Sequence, residues 1–459
     1  MKNMTLQNIA KAVGGELFGA EGKEQLEVKG VVLDSRKVEK DYLFVATVGE
    51  RVDGHSFIDS VFEKGALCVI CEKKPENSKG AYILVKDSFQ ALKDMAGFYR
   101  EKLDVKVVGI TGSVGKTSTK EFIASVLATH FKVLKTEGNF NNEVGLPLTV
   151  LRIQEDTQVA VLEMGISDFG EMHRLSKIAK PDICVITNIG QCHLENLGTR
   201  DGILKAKTEI FDYMRTDASV CLNGDDDKLF TIQEVYGKKP LFFGRDSEYA
   251  IYATNCENKG LAGSKAVIHR DGRSFEVTIP LPGEHMISNA LAAAAVATVL
   301  GLSDEEIQSG IAAVEPVGGR SHIIKNDKLT IIDDCYNANP ISMKAAIDLL
   351  AMADTRTVAI LGDMFELGSR EMALHEEVGT YAAYKNIDCI ICVGNLSKHM
   401  YEGTRAVKNT VSKSYYYQDK ETLLEHLGEL LQRGDSVLVK ASHGMHFEEV
   451  IDKLSGVTE

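Results

Sequence analysis

The stretch VVGITGSVGKTSTKEF, residues 107–122, decides how the rest of the chain is read. A β-branched run passes into Gly109, Gly112 and Gly115, then Lys116, Thr117 and Ser118. A helical pattern follows, with apolar residues at Phe122, Ile123, Val126, Leu127 and Phe131. Each part has a physical use. Glycines let backbone N–H groups curl around a phosphate without a Cβ in the way. The helix N-terminus adds the positive end of its dipole, Lys116 adds a full charge, and the Thr117 hydroxyl can sit on Mg²⁺. The strict pattern G-x-x-x-x-G-K would have glycine at position 110, where Ile110 stands, so this is a variant P-loop. Strand, glycines, Lys-Thr and helix in that order point to a nucleotide phosphate site made by Gly112, Ser113, Val114, Gly115, Lys116, Thr117 and Ser118.

Working outward, QVAVLEM, DICVITNI and ASVCLNG repeat the alternation of short β-branched strands with helical patterns, as in a mostly parallel sheet with helices on both faces. Residues 240–282 carry smaller strands and Gly turns, expected to extend that sheet in antiparallel fashion. The Ala-rich helix near 285–300 is expected to close the domain. After Val317-Gly318-Gly319-Arg320 the rhythm restarts with LTIIDDCY, TVAILGD, DCIICVG and SVLVKAS. No G-x-G-x-x-G follows the first of these strands, so this domain is not read as dinucleotide-binding. The first ~85 residues mix short strands and turns without a βαβ rhythm. The expected fold is α/β in three domains: a small N-terminal α/β domain (1–90), a central P-loop domain with a mostly parallel sheet (91–315), and a C-terminal Rossmann-like α/β domain (316–459).

Composition agrees with that division and narrows the function. A chain of 459 residues suggests about three domains, and 44% hydrophobic with 26% charged residues is a globular balance. With 52 basic against 66 acidic residues the net charge is −14, which disfavours broad nucleic-acid binding. Anionic ligands must then be held by a few placed cations, backbone N–H groups or metal ions. The N-terminus is interrupted by Gln7, Asn8 and Lys11 before a signal-peptide core can form, and ALAAAAVATVL is too short to span a bilayer, so a cytoplasmic protein without membrane insertion is expected. Two C-x-x-C pairs, Cys68/Cys71 and Cys389/Cys392, lie in apolar runs that read as strands. Positions i and i+3 of a strand face opposite ways, so buried core thiols are expected rather than a metal or redox site.

A P-loop alone leaves kinase, GTPase, motor and ligase open, although the guanine-reading N-K-x-D is missing. The flanking motifs are more specific: DSRKV (34–38), GERVDGHSF (49–57), GNFNNEVGLPLT (138–149), TNIGQCHLENLG, KAKTEIF, DDCYNANP (333–340) and LGDMFELG (361–368). Through these the chain resembles, over nearly its whole length, the Mur ligase family of ATP-dependent, amide-forming enzymes. Within the family it is most similar to the branch that adds D-Ala-D-Ala to UDP-N-acetylmuramoyl-tripeptide in peptidoglycan precursor synthesis. A sibling adding one amino acid would be expected to carry a DYAH-type motif where Asn337 and Asn339 stand. The alternatives are a sibling Mur or folylpolyglutamate-type ligase, and a nucleotide-binding homologue without catalysis.

The resemblance implies site roles residue by residue. Thr117 and Glu163 would hold a first Mg²⁺, and His193 would contribute to a second. Lys207, selected over Lys205 by the register Lys-x-x-Ile-Phe, would carry a carbamate and so serve as a metal ligand. Lys116 would act on the ATP phosphates. Asn289 would meet adenine, although the family often has Asn where Met286 stands, and Arg320 would reach the nucleotide phosphates from the third domain. Asn337 would face the nucleotide, and Asp334, Tyr336 and Asn339 the incoming dipeptide. An Arg usually stands where His443 stands, which shifts weight to Lys440 and Ser442. Ser35 and Arg36 are candidates for the UDP moiety. The implied partners are small molecules, with no nucleic acid, and the chain is expected to act as a monomer.

Overall fold

The computed structural model describes residues 1–49, 52–76 and 79–456. Glu50 and Arg51 of the GERVDGHSF motif, and Asn77 and Ser78 of the turn KKPENSKG, lie outside the described residues. Three sheets organise the chain, with five, nine and six strands.

The first sheet runs in the order Glu16–Phe18, Ala81–Leu84, Cys68–Cys71, Leu43–Val45, Val31–Val32, and only its first pair is antiparallel. A βαβ-like parallel arrangement therefore begins earlier than the sequence pattern suggested. The strands have two to four residues, and one of their crossovers is the 3₁₀ turn Gly54–Phe57 with the six-residue helix Ile58–Glu63. Neither the strands nor the crossover is long enough to display a period.

The nine-stranded sheet has the order Arg273–Ile279, Ser264–Arg270, Ile251–Asn258, Leu241–Gly244, Ser219–Asn223, Ile183–Ile186, Lys106–Thr111, Val159–Glu163, Val133–Lys135. The expected antiparallel extension is present only from Ile251–Asn258 onward, since Leu241–Gly244 pairs parallel on both sides. The Ala-rich helix His285–Val299 is buried nearly all round, as its sequence implies. A further helix, Asp304–Ala312, follows it, opened by a capping box in which Ser303 and Glu306 satisfy each other's backbone N–H groups.

The third sheet runs His322–Lys325, Thr330–Asp333, Ser436–Lys440, Thr357–Gly362, Cys389–Val393, Lys413–Tyr417, antiparallel only in its first pair. Cys68, Cys71, Cys389 and Cys392 are buried in strands as expected, and all nine cysteines are free. Burial raises the thiol pKa of these four.

The first and second sheets share one apolar core, which runs from Met4 beneath the helix Ser88–Lys102 to Val235. The third sheet has its own apolar layers on its two faces. Arg100 pins the shared helix from inside the protein. Its guanidinium is 1% exposed, and it donates to Ala179 O (2.8 Å), Lys180 O (3.1 Å) and Asp182 Oδ2 (3.0 Å). The same carboxylate oxygen accepts from Val107 N at the start of the P-loop strand. Burial pulls the Arg100 pKa down to about 10 against the pull of Asp182, which leaves it charged at neutral pH. Removing one partner of a buried pair leaves the other charge poorly compensated. Arg100→Met is therefore expected to lower the stability of the joined first and second domains by about 3 kcal/mol, read from urea unfolding.

Candidate active site between the P-loop and the third sheet

The strand Lys106–Thr111 delivers the chain into the glycine loop, and the helix Lys116–Leu127 leaves it. Two glycines are required sterically. A Cβ on Gly112 would collide with the Thr187 hydroxyl, and Gly115, at the helix N-cap, has φ +80°. The loop is held by the residues that follow the strand Ile183–Ile186. Asn188 Oδ1 accepts from Val114 N (3.0 Å) while its Nδ2 donates to Val114 O (3.0 Å). Thr187 Oγ1 donates to the same carbonyl, and Gly190 N donates to Ser113 Oγ. Lys116 Nζ rests on Gly112 O at 3.0 Å.

Glu163 ends the neighbouring strand Val159–Glu163 and is 1% exposed. Thr117 Oγ1 donates to its Oε2 and Asn141 Nδ2 to its Oε1, both at 2.9 Å. Among the described residues no cation pairs with it. A buried carboxylate satisfied only by neutral donors retains an uncompensated charge, which a hard cation would neutralise. Carboxylate and hydroxyl oxygens are ligands that suit Mg²⁺. The described residues contain no group of three or more His, Cys, Asp or Glu side chains arranged as a metal cage. A cation here would therefore be held mainly through oxygens from its ligand and from water.

Lys207 lies on the helix Arg200–Thr208, 1% exposed, while Lys205 on the same helix is exposed and sits over the Phe169 ring. Among the described residues Lys207 Nζ has no hydrogen bond or ion pair. Burial lowers its pKa from 10.5 to about 8, with Cys192 opposing and the charge of Lys116 adding to the shift. His193 has a left-handed backbone, and its Nδ1 is 2.5 Å from Glu366 Oε2 on the third domain.

A cleft of about 1000 Å³ lies between the P-loop and the third sheet, and Lys207 is not among the residues that line it. The cleft is lined by the loop residues 113–119, Glu163, His193 and Asn289 on one side, and by Arg320, Asp334, Tyr336, Asn337, Asn339 and Lys440 on the other. Asp334, Tyr336, Asn337 and Lys440 come from the carboxyl ends of parallel strands, where open α/β sheets place ligands, and Arg320 reaches the same end because it precedes the antiparallel strand His322–Lys325. Asn289 is nearly buried, accepts from Thr119 Oγ1 (2.9 Å) and directs its amide N–H at Met286 Sδ (3.4 Å). The Arg320 guanidinium lies 4.1 Å from the centroid of the Tyr336 ring, which also stacks with His443.

Several expected site residues are already committed to the protein. Lys440 Nζ donates to Asp334 Oδ2 (2.6 Å), Asn337 O (2.9 Å) and Asp334 O (3.4 Å), which occupies all three of its N–H groups. Asn339 caps the helix Pro340–Leu350 reciprocally with Ser342. Ser442 is buried, accepts from Phe365 N, and does not line the cleft. Ser35 and Arg36 also lie outside the lining, on a 3₁₀ turn where exposed Arg36 pairs with Asp34. Sequence reasoning did not single out Asn141, Asn188 or Glu366, although all three stand within quoted motifs. Membership of those motifs was the available signal.

Comparison with known proteins extends this geometry to the whole chain. Residues 27–100 match the Mur ligase family catalytic domain, 110–297 the Mur ligase middle domain, and 319–443 the domain described as Mur ligase, glutamate ligase domain. The UDP-N-acetylmuramoyl-tripeptide–D-alanyl-D-alanine ligase of Bacillus subtilis is 39% identical, covering 99% of both chains. The crystal structure of MurF from Acinetobacter baumannii superposes with a TM-score of 0.90 at 33% identity over 98% of both chains. MurF from Thermotoga maritima, in complex with ADP, gives a TM-score of 0.82 at 31% identity over 94% of this chain and 97% of that one. Matched by family models in all three of its parts and by relatives along nearly its whole length, this chain belongs to the Mur ligase family.

Proposed function

We propose that the cleft joins D-Ala-D-Ala to UDP-N-acetylmuramoyl-tripeptide in peptidoglycan precursor synthesis, with ATP converted to ADP and phosphate. The observation that carries this reading is the placement of the P-loop and the loop 334–339 at the carboxyl ends of parallel strands of two sheets, lining one cleft. One cleft can then hold a phosphoryl donor, a carboxylate and an amine together.

A carboxylate oxygen is a poor leaving group, so the tripeptide carboxylate first takes the γ-phosphoryl group and becomes an acyl phosphate. The dipeptide amine attacks the acyl carbon, phosphate departs with the C–O bonding pair, and the nitrogen loses a proton. Backbone N–H groups of 115–118 and the Lys116 ammonium bind the phosphates and hold them in line, while the N–H groups of Ser113 and Val114 are held by Asn188. Arg320, oriented against Tyr336, meets the phosphates from the third domain, and Asn289 meets adenine. Asp334, Tyr336, Asn337 and Asn339 form the wall that the nucleotide and dipeptide face. Lys440 and Ser442 act through that wall and the adjoining loop. The first domain, with Ser35 and Arg36, takes the UDP end. All reactants converge on a cleft built by one chain, consistent with a monomer, and among the described residues no helix is long and apolar enough to cross a membrane. Use of ATP and a nucleotide-linked substrate supports a cytoplasmic site of action.

Thr117 and Glu163 would hold one Mg²⁺, and His193 with a carbamate on Lys207 a second. Bound Mg²⁺ supplies neutralisation of the phosphate oxygens. Purified protein given ATP, Mg²⁺, tripeptide substrate and D-Ala-D-Ala is expected to yield pentapeptide and ADP. Single amino acids in place of the dipeptide should not. Such metal stabilisation is worth several kcal/mol, so Glu163→Gln should reduce kcat/KM by at least about a hundredfold at saturating Mg²⁺.

The buried Lys207 gives a pH signature. Carbamate formation consumes the neutral amine, which the folded chain presents above about pH 8, well below the ordinary lysine value of 10.5. Between those values the unfolded chain binds the extra proton, so this group's contribution to stability rises with pH across the same window. Each carbamate formed also releases a proton, so at fixed dissolved ¹³CO₂ a carbamate carbon signal is expected to grow with pH through pH 8 and to level only when Lys207 is fully carbamylated. A Lys207→Ala protein should lack both that signal and turnover.

A further inference from the structure

His193 and Glu366 meet across the boundary between the central and third domains, and both hold left-handed backbones, φ +50° and +61°. Such conformations are unfavourable for a non-glycine residue, and they persist where surrounding contacts hold them. Here the contacts are shared between the two domains. Leu194, next to His193, packs against the apolar cores on both sides. Two residues beyond Glu366, Gly368 lies against the backbone of Glu195, whose Cα would be 3.5 Å from a Cβ at that glycine. The His193 Nδ1 atom is buried, and among the described residues its ion-pair partner is Glu366 Oε2, 2.5 Å away. At this separation Nδ1 makes no directed hydrogen bond among the described residues, so the pair is a close contact that a small rotation of the ring would turn into one. The imidazole holds the Glu366 carboxyl below its ordinary pKa.

We propose that Glu366 is a positioning residue that engages Nδ1 of His193 from the third domain and thereby fixes the imidazole with Nε2 as its free nitrogen for the P-loop cleft. The inference rests on the ligase reading of that cleft. A histidine whose Nδ1–H is given to a carboxylate carries its lone pair on Nε2, so the partner chooses both tautomer and ring angle. The carboxylate arrives on a different domain from the imidazole, which makes this orientation conditional on docking of the third domain. Docking then completes the reactive constellation as well as closing the cleft. A passive stitch between domains would ask nothing of the tautomer.

The test uses the full-length chain with ¹⁵N-labelled histidines and no nucleotide or metal, at pH 8.5, with the His193 signals identified by their loss in His193→Gln. Wild type and Glu366→Gln, whose amide oxygen still accepts from Nδ1–H, are expected to show the Nδ1–H tautomer. Glu366→Ala is expected to show a mixture of tautomers. In the ligation assay Glu366→Ala should lower kcat by about 10–100-fold, the usual cost of losing a carboxylate behind a ligating histidine, with KM for ATP unchanged within about twofold. Glu366→Gln should recover most of that loss. A His193→Ala/Glu366→Ala protein should be no slower than His193→Ala alone. A wild-type tautomer in Glu366→Ala, or single-variant losses that multiply in the double variant, would overturn the inference. If wild-type protein formed no pentapeptide, the ligase reading would fall, and the tautomer comparison would still decide whether Glu366 orients His193.

Discussion

The buried carboxylate of Glu163 is the constraint around which the rest of the cleft is arranged. It is 1% exposed, hydrogen-bonded only by the neutral Thr117 and Asn141, and lacks a cation of its own among the described residues. A fold tolerates such a charge where a ligand or ion compensates it. The strand that ends in Glu163 lies beside the strand that feeds the P-loop, so the parallel register Ile110↔Glu163 brings carboxylate, glycine loop and Thr117 together. A slip of one residue in that pairing would turn the carboxylate to the opposite face of the sheet. The pairing of two apolar strands therefore sets the position of the most polar group in the cleft.

The distribution of apolar surface explains which parts move together. The helix Ser88–Lys102 buries Ala91, Leu92, Met95, Ala96 and Tyr99 in a core common to the first two sheets, with Arg100 locked to Asp182 beneath it. The third domain joins this unit through narrower contacts. Leu194 and Leu261 pack on its core, Ile341 touches Gly190, and Asn258 reaches Met352 at the tip of the Ile251–Asn258 and Ser264–Arg270 hairpin. Small interfaces between separately cored domains permit rigid-body motion. Closure of the third domain over a fixed first and second is the motion this distribution of contacts favours.

Much of the fold could be read from residues 105–223 because the four central strands there are four- to six-residue apolar runs between helical patterns. The first sheet was harder, since Val31–Val32 and Leu43–Val45 are too short for any period to emerge. Val133–Lys135 and Lys413–Tyr417 escaped notice because edge strands are half-exposed and carry mixed residues. In the cleft, residue type and motif located Lys116, Thr117 and Glu163, but sequence could not say which polar groups remain free. Lys440 looked like a cation for the substrate, and its donors are taken by Asp334 and Asn337. Asn339 looked like a ligand contact, and its side chain caps a helix. Lys205 and Lys207 are separated by burial, a property of the helix face that packs inward, which the motif register anticipated without showing the cause.

At the two positions where the resemblance implied other residues, the structure shows contacts of a different chemistry. Where an Arg is usual, His443 stacks on Tyr336 with ring centroids 5.4 Å apart, and the same ring carries the Arg320 guanidinium at 4.1 Å. A cation over a tyrosine face is held by the ring's quadrupole and keeps its N–H fork free for anions. Positive charge at this wall therefore comes from a residue braced by an aromatic pair, while Lys440 is spent on orienting Asp334. Where Asn is frequent, Met286 offers a thioether to the Asn289 amide, a weak acceptor that leaves that N–H readily available to a stronger one. In a protein with a net charge of −14, capture of anionic reactants cannot depend on the overall field. It depends on a few cations and N–H groups whose partners within the fold orient them without satisfying them fully.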